Sequence, residues 1–206
     1  MAKWECQDLG DVTEFLRMRV KRNGLDVIID QVNYLKKVLD RFQMTNTKAA
    51  LTPLPSNWDL KENQGKAMAA DITRYQSIIG SLLYLMIGTH PDISYAVTHL
   101  SQFSTNPSED HYKAALHVCR YLVGTQDYKI VYLNKSDKGL AAYTDSDWAA
   151  DKIRQRSVTG FFFKLAGGVI SVRGHPPNPV STTKSNNHVS APAPTSIPTP
   201  YIPPHR

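Results

Sequence analysis

Asp145-Ser146-Asp147, with Asp151 four residues on, is the sharpest chemical feature of the sequence. Tyr143-Thr144 ahead of it reads as the end of a strand. Carboxylates at a strand end can hold Mg²⁺ through hard oxygen ligands. Asp145 and Asp147 share a side if the strand continues, and Asp151 can join them through a turn. The plain alternative, which spacing alone favours, is a solvated Asp-x-Asp turn. A second candidate is basic. Arg17, Arg19 and Lys21 alternate with Leu16, Met18 and Val20, and Arg22 follows. A row of cations of this kind can neutralise a phosphate backbone, or it can be the solvated side of an ordinary hairpin.

Other chemistries lack support. The seven histidines form no zinc spacing with Cys or one another. No Gly-x-Ser-x-Gly elbow and no phosphate-cradling Gly-rich loop occurs. Cys6 and Cys119 suggest neither a disulfide framework nor a metal site, which fits packing residues in a reducing, intracellular setting. No apolar run is long enough to cross a membrane, and the N-terminus has no secretory-signal pattern. The formal charge is +6 over 206 residues, but its placement is uneven. The last acidic residue is Asp151, and the chain beyond it carries only basic charge. The high pI therefore says little about the folded part.

These residues need positioning elements. Leu16–Lys21, an Asn23-Gly24 turn and Leu25–Ile29 read as a β-hairpin with an apolar and a basic face. Gln31–Phe42 reads as a helix with a stripe of Val32, Leu35, Val38, Leu39 and Phe42. Thr45–Lys66, punctuated by Pro53, Pro55 and Gly65, predicts an extended, mobile loop. Tyr75, Ile78, Ile79, Leu82 and Met86 mark the next helix. Pro91 opens one carrying Ile93, Ala96, Val97, Leu100 and Phe103. Asn106-Pro107 opens a third, burying Ala115, Leu116, Cys119 and Leu122. Then the period shifts to strands: Ile130–Tyr132, Leu140–Tyr143, and Gly160–Leu165 with Val169–Val172 around Ala166-Gly167-Gly168. Nine of the thirteen prolines lie from Pro176 onward, and a disordered tail is expected there.

The order of these segments resembles the Pol polyprotein of copia-type retrotransposons. Trp4-Glu5-Cys6-Gln7-Asp8-Leu9-Gly10 and Phe15-Leu16-Arg17-Met18 look like the end of the reverse transcriptase palm. Arg41-Phe42-Gln43-Met44 closes a thumb-like helix, and Thr52-Pro53-Leu54 matches a loop of the family. Tyr75–Tyr84, Thr89-His90-Pro91-Asp92-Ile93, Arg120–Thr125, Tyr143–Asp151 and Arg156–Gly160 follow in the family's order. The resemblance implies an α+β chain. Residues 1–44 would be the reverse transcriptase hairpin and thumb-like helix, 45–70 a loop and 71–125 a helical connection. Residues 126–173 would be a truncated antiparallel RNase H-like meander, and 174–206 the Pro-rich tail.

The resemblance also implies roles. The hairpin resembles a primer grip, with Arg17, Arg19, Lys21 and Arg22 towards nucleic acid. Asp145 matches the first metal-binding aspartate of the family's ribonuclease H, with Asp147 beside it. Mg²⁺ is the family's cofactor. An RNA–DNA hybrid or DNA duplex, and the rest of Pol, are the implied partners. The departures are equally informative. No Asp-Asp pair exists, so polymerase chemistry is excluded. The family often has Gly at Arg17 and usually Arg at His90. It has Trp at Val172, then a glutamate helix where this chain has Pro176-Pro177. The later carboxylates are absent by count, so Asp145 is read as vestigial and tight Mg²⁺ binding is not expected. A frameshift or mispredicted gene boundary near Ser171 would explain the break. Three readings follow: an inert Pol remnant, a non-catalytic nucleic-acid-binding module, or, least favoured, an active ribonuclease H.

Overall fold

A computed structural model describes residues 10–55, 58, 60–134, 139–151 and 156–175. The Trp4–Leu9 stretch and the expected tail from Pro176 onward lie outside the described residues, whereas Gly174 and His175, expected in that tail, belong to a strand. The chain is α+β, with two antiparallel sheets flanking a helical core.

The first sheet has the order β1-β2-β3-β4, with β1 Glu14–Phe15, β2 Met18–Asn23, β3 Asp26–Asp30 and β4 Ile130–Tyr132. Two expectations change here. Asn23 still pairs with Asp26, so the two turn residues are Gly24 and Leu25 rather than Asn23 and Gly24. Gly24 has φ +61° and Leu25 does not take a positive φ, the pattern of a type II′ turn. Leu16 and Arg17 are not strand residues. They form a second two-residue turn, β1 to β2, both with positive φ (48° and 57°). The alternating pattern thus crosses a turn that neither Leu nor Arg signals. β4 was expected in the later meander, but it pairs with β3, where Val27, Ile28 and Ile29 offer it an apolar edge.

Helix α1 spans Val32–Arg41 and buries Leu35, Val38 and Leu39, as its stripe predicts. It ends at Gln43, whose φ of +58° lets the Met44 amide reach the Leu39 carbonyl at 2.7 Å. The described residues of 45–66 contain neither helix nor strand, yet they are strapped down rather than loose. The Ala50 amide bonds the Arg120 carbonyl, and the Asn106 side chain gathers the carbonyls of Asn63 and Gly65. Leu60 is buried.

Helix α2, Ala69–Gly88, buries Tyr75, Ile78, Ile79, Leu82 and Leu85; Met86 is only half-buried. Pro91–Ile93 form a single 3₁₀ turn that leads into α3, Ser94–Ser101. Helix α4, Glu109–Gly124, is capped by Ser108 and not by Asn106-Pro107. Ser108 Oγ accepts the His111 amide and His111 Nδ1 accepts the Ser108 amide, a reciprocal capping box. The four helices interlock through Leu35, Leu82, Leu100, Val118 and Leu122, all essentially inaccessible to solvent. Each such side chain contributes about 2 kcal/mol of burial free energy.

The second sheet, β5-β6-β7, comprises Ala141–Asp151, Arg156–Leu165 and Gly168–His175. Ala166 and Gly167, with φ 50° and 80°, make its β6–β7 turn. This turn docks on the first sheet. The Leu133 amide donates to the Ala166 carbonyl at 2.8 Å, and the Tyr132 hydroxyl donates to the Val169 carbonyl at 2.9 Å. Gly168 is buried beneath Tyr132, where an added Cβ would fall 2.6 Å from the ring.

Candidate nucleic-acid interface

The two-residue turns set where the hairpin cations stand. Arg17 sits at the tip of the β1–β2 turn and is exposed. Lys21 and Arg22 are exposed at adjacent positions of β2, so strand alternation sends them to opposite faces. Arg19 shares the Lys21 face but is already engaged. Its Nε and Nη2 donate to the two carboxylate oxygens of Asp30 at 2.8 and 3.0 Å. This hydrogen-bonded pairing holds the guanidinium pKa above its ordinary value. Asp30 is 4% exposed and also accepts the Val32 amide at 3.2 Å, so one carboxylate ties β2, β3 and the start of α1 together. Of the expected row Arg17, Arg19 and Lys21, Arg17 thus falls in a turn, and Arg22, expected in the next turn, is a β2 residue on the other face. Three of the four cations are free at the hairpin's tip and edges, and Arg19 is a structural anchor.

The hairpin is fixed to the helical core at its turn. The Tyr84 hydroxyl on α2 donates to the Leu16 carbonyl. Tyr34 of α1 meets the Tyr84 ring edge-on at 4.8 Å. Sequence reading missed both tyrosines, because α2's stripe assigns Tyr84 no role. Its spacing from Tyr34 is visible only once α1 and α2 are packed.

The aspartates lie elsewhere. Asp145, Asp147 and Asp151 all belong to the single strand β5, with backbone partners Gly160, Val158 and Arg156. The strand was expected to end at Tyr143-Thr144, but it runs on through Asp151, with an irregularity in register between Asp147 and Asp151. A turn that would bring Asp151 back to Asp145 does not form.

The remaining candidates are packing residues. His90 is buried, its Nδ1 3.6 Å from Asp92 Oδ1. His111 is buried in the capping box and stacked on Phe103 at 3.9 Å; burial lowers its pKa. Burial pushes the Cys119 thiol up to about 12, which leaves it unreactive at neutral pH. Among the described residues, no helix is long and apolar enough to cross a membrane.

The structure is thus an α+β chain of two small antiparallel sheets and a helical unit, with a basic hairpin tethered to the helices. The chain belongs to the Pol polyproteins of copia-type retrotransposons. It is 35% identical over 176 residues to the retrovirus-related Pol polyprotein from transposon TNT 1-94 of Nicotiana tabacum, a match covering 82% of this chain and 13% of that protein. It is 36% identical over 169 residues to the Pol polyprotein from transposon RE1 of Arabidopsis thaliana, covering 82% and 11%. An uncharacterized mitochondrial protein of Arabidopsis thaliana is 34% identical over 169 residues, covering 82% and 69%. The chain thus spans about an eighth of the length of the Pol polyproteins it matches. No family model and no solved structure matches it.

Proposed function

We propose that this chain is the part of Pol running from the end of the reverse transcriptase, through a helical connection, into the start of an RNase H-like sheet. In this reading it holds a nucleic-acid duplex and performs no chemistry of its own. The observation that carries it is the hairpin. Tyr84 fixes the Leu16-Arg17 turn, Asp30 fixes Arg19, and Arg17, Lys21 and Arg22 stay exposed. Cations on a rigid mount lose little freedom on meeting phosphates.

Catalytic silence rests on the donor set. A two-metal site needs several carboxylates converging within a few ångströms. At about 3.3 Å of rise per residue, Asp145 and Asp147 alone lie about 7 Å apart along β5, and Asp151 lies farther on, beyond the register irregularity. The chain supplies no acid after Asp151. These residues do not fit a tight Mg²⁺ pair by themselves, and Asp145 remains a vestigial ligand.

The test uses the 206-residue chain and a labelled RNA–DNA hybrid. Binding without cleavage in Mg²⁺ is expected, and it should weaken on Arg17→Glu with Lys21→Glu. Mg²⁺-dependent cleavage lost in Asp145→Asn would contradict the silent reading. Absence of binding at low salt would leave only an inert remnant.

A further inference from the structure

Resting on the duplex-holding reading, we propose a second phosphate contact: the groove between the C-terminal end of α1 and the first turns of α2 seats a backbone phosphate between Arg41 and Arg74. The groove is a cavity of about 750 Å³. Both arginines line it, with Phe42, Thr73, Ser77 and Tyr112. Sequence pattern gave none of them a role beyond Phe42's place in a stripe.

The two guanidinium groups are mounted on rings. Arg74 lies over Tyr112, its central carbon 3.9 Å from the ring centroid, and Arg41 lies over Phe42 at 5.5 Å. Tyr112 is itself buried, so the Arg74 mount belongs to the core. Stacking through the flat face leaves the N–H edges of a guanidinium available, the geometry that suits bidentate phosphate contact. Neither arginine has a carboxylate partner among the described residues. Both are exposed.

The walls favour an anion. Ala69 and Ala70, the first residues of the 20-residue helix α2, line the same cavity, and no side chain caps that helix. Its free amides and dipole add positive potential, partly offset by Asp71 in the first turn. Thr73 gives its hydroxyl proton to the Ala69 carbonyl, which leaves the hydroxyls of Ser77 and Tyr112 in the wall.

The hairpin's anchor and the groove lie at the two ends of α1. Asp30, which anchors Arg19, abuts the start of α1, and Arg41 is its last residue. Ten helical residues span about 15 Å. A single strand rises about 3.4 Å per nucleotide, so the length of α1 corresponds to roughly four nucleotide steps.

The experiment is fluorescence anisotropy of the full chain on a fluorescein-labelled DNA duplex across a salt series. Melting curves confirm that each variant is folded. Arg41→Gln with Arg74→Gln should weaken binding roughly tenfold and make the slope of log K against log salt shallower by about two. If that double variant fails to fold, Arg41→Lys with Arg74→Lys replaces it. The charge then stays while the fork and stacking go, and a several-fold loss is expected. Unchanged affinity and slope in the arginine variant, with loss in Arg17→Glu/Lys21→Glu, overturns the groove and spares the hairpin. Loss in the arginine variant alone supports the groove and overturns the hairpin. Inorganic phosphate identifies the source. If it raises the melting temperature of the wild type only, while duplex binding ignores the arginines, the groove is a free-phosphate site and the backbone assignment fails.

Discussion

Arg19 and Asp30 grip each other across the β2–β3 ladder, two N–H groups on two carboxylate oxygens, with the acid buried and the base only partly so. The pair sits where hairpin meets helix, since Asp30 also accepts the Val32 amide. Arg19→Met removes the partner and leaves a buried carboxylate uncompensated. The expected loss is about 3 kcal/mol, read as a lower denaturation midpoint with an unchanged m-value. Asp30→Asn in the same background should recover part of it, because the uncompensated charge is gone. A surface cation of no structural consequence would show neither effect.

Arg17 carries a conflict between folding and binding. Its φ of +57° is a left-handed conformation that costs an ordinary residue about 1 kcal/mol. Glycine removes that strain but adds chain entropy to the unfolded state. Arg17→Gly is therefore expected to stabilise the chain by about 0.5 kcal/mol while weakening duplex binding. Thermal melts and anisotropy on the same sample check both signs.

Much of this was legible in the sequence, and the exceptions share a cause. The stripes of α1 and α2 are periodic apolar patterns, and the structure buries most of each, leaving Val32, Phe42 and Met86 half-buried. The Leu16-Arg17 turn was missed because turn chemistry is normally announced by Gly, Asn or Asp. The cap of α4 was placed at Asn106-Pro107, since Asn-Pro is the stronger local signal. Asn106 is instead occupied with the backbone of residues 63–67, and Ser108 takes the cap. In the basic row, Arg19 and Lys21 share a face as the alternation predicts, but Arg17 falls in a turn and only the packed structure reveals that Arg19 is spent on Asp30. Residues such as Tyr84 and Arg74 act across α-helical packing, which no single window of sequence contains.

His111 gives the chain a pH signature. Burial holds its pKa below the ordinary 6.5, with the Lys61 backbone and Asp110 opposing. The unfolded chain therefore takes up the proton first. Stability is full above about pH 6.5 and falls as pH drops through that value towards the folded pKa. His117, also lowered chiefly by burial, adds in the same direction. His111→Gln keeps an N3 side chain able to complete the capping box. It should melt lower at neutral pH, for want of stacking on Phe103, yet lose less between neutral and mildly acidic pH. An identical slope in the variant would assign the acid sensitivity elsewhere.

Gly168 couples the two sheets. A methyl group there would lie 2.6 Å from two Tyr132 ring carbons and 3.0 Å from the Val131 carbonyl. Ring and backbone are both held, so the strain has little outlet. Gly168→Ala is expected to cost about 2 kcal/mol and to raise hydrogen exchange at the Leu133 amide, which bonds Ala166. Gly80, with nothing within 4 Å of an added Cβ, is the control. There, in a helix interior, alanine should be stabilising.

Duplex holding depends on exposed hairpin cations meeting phosphate, and the salt dependence of duplex affinity measures that most directly. Each phosphate neutralised contributes about −0.9 to the slope of log K against log salt on duplex DNA. The slope should fall by roughly three units in magnitude when Arg17, Lys21 and Arg22 are all reversed to Glu, with the melting temperature little changed. A wild-type affinity that ignores salt, or a slope that survives the triple reversal in a folded protein, would contradict it.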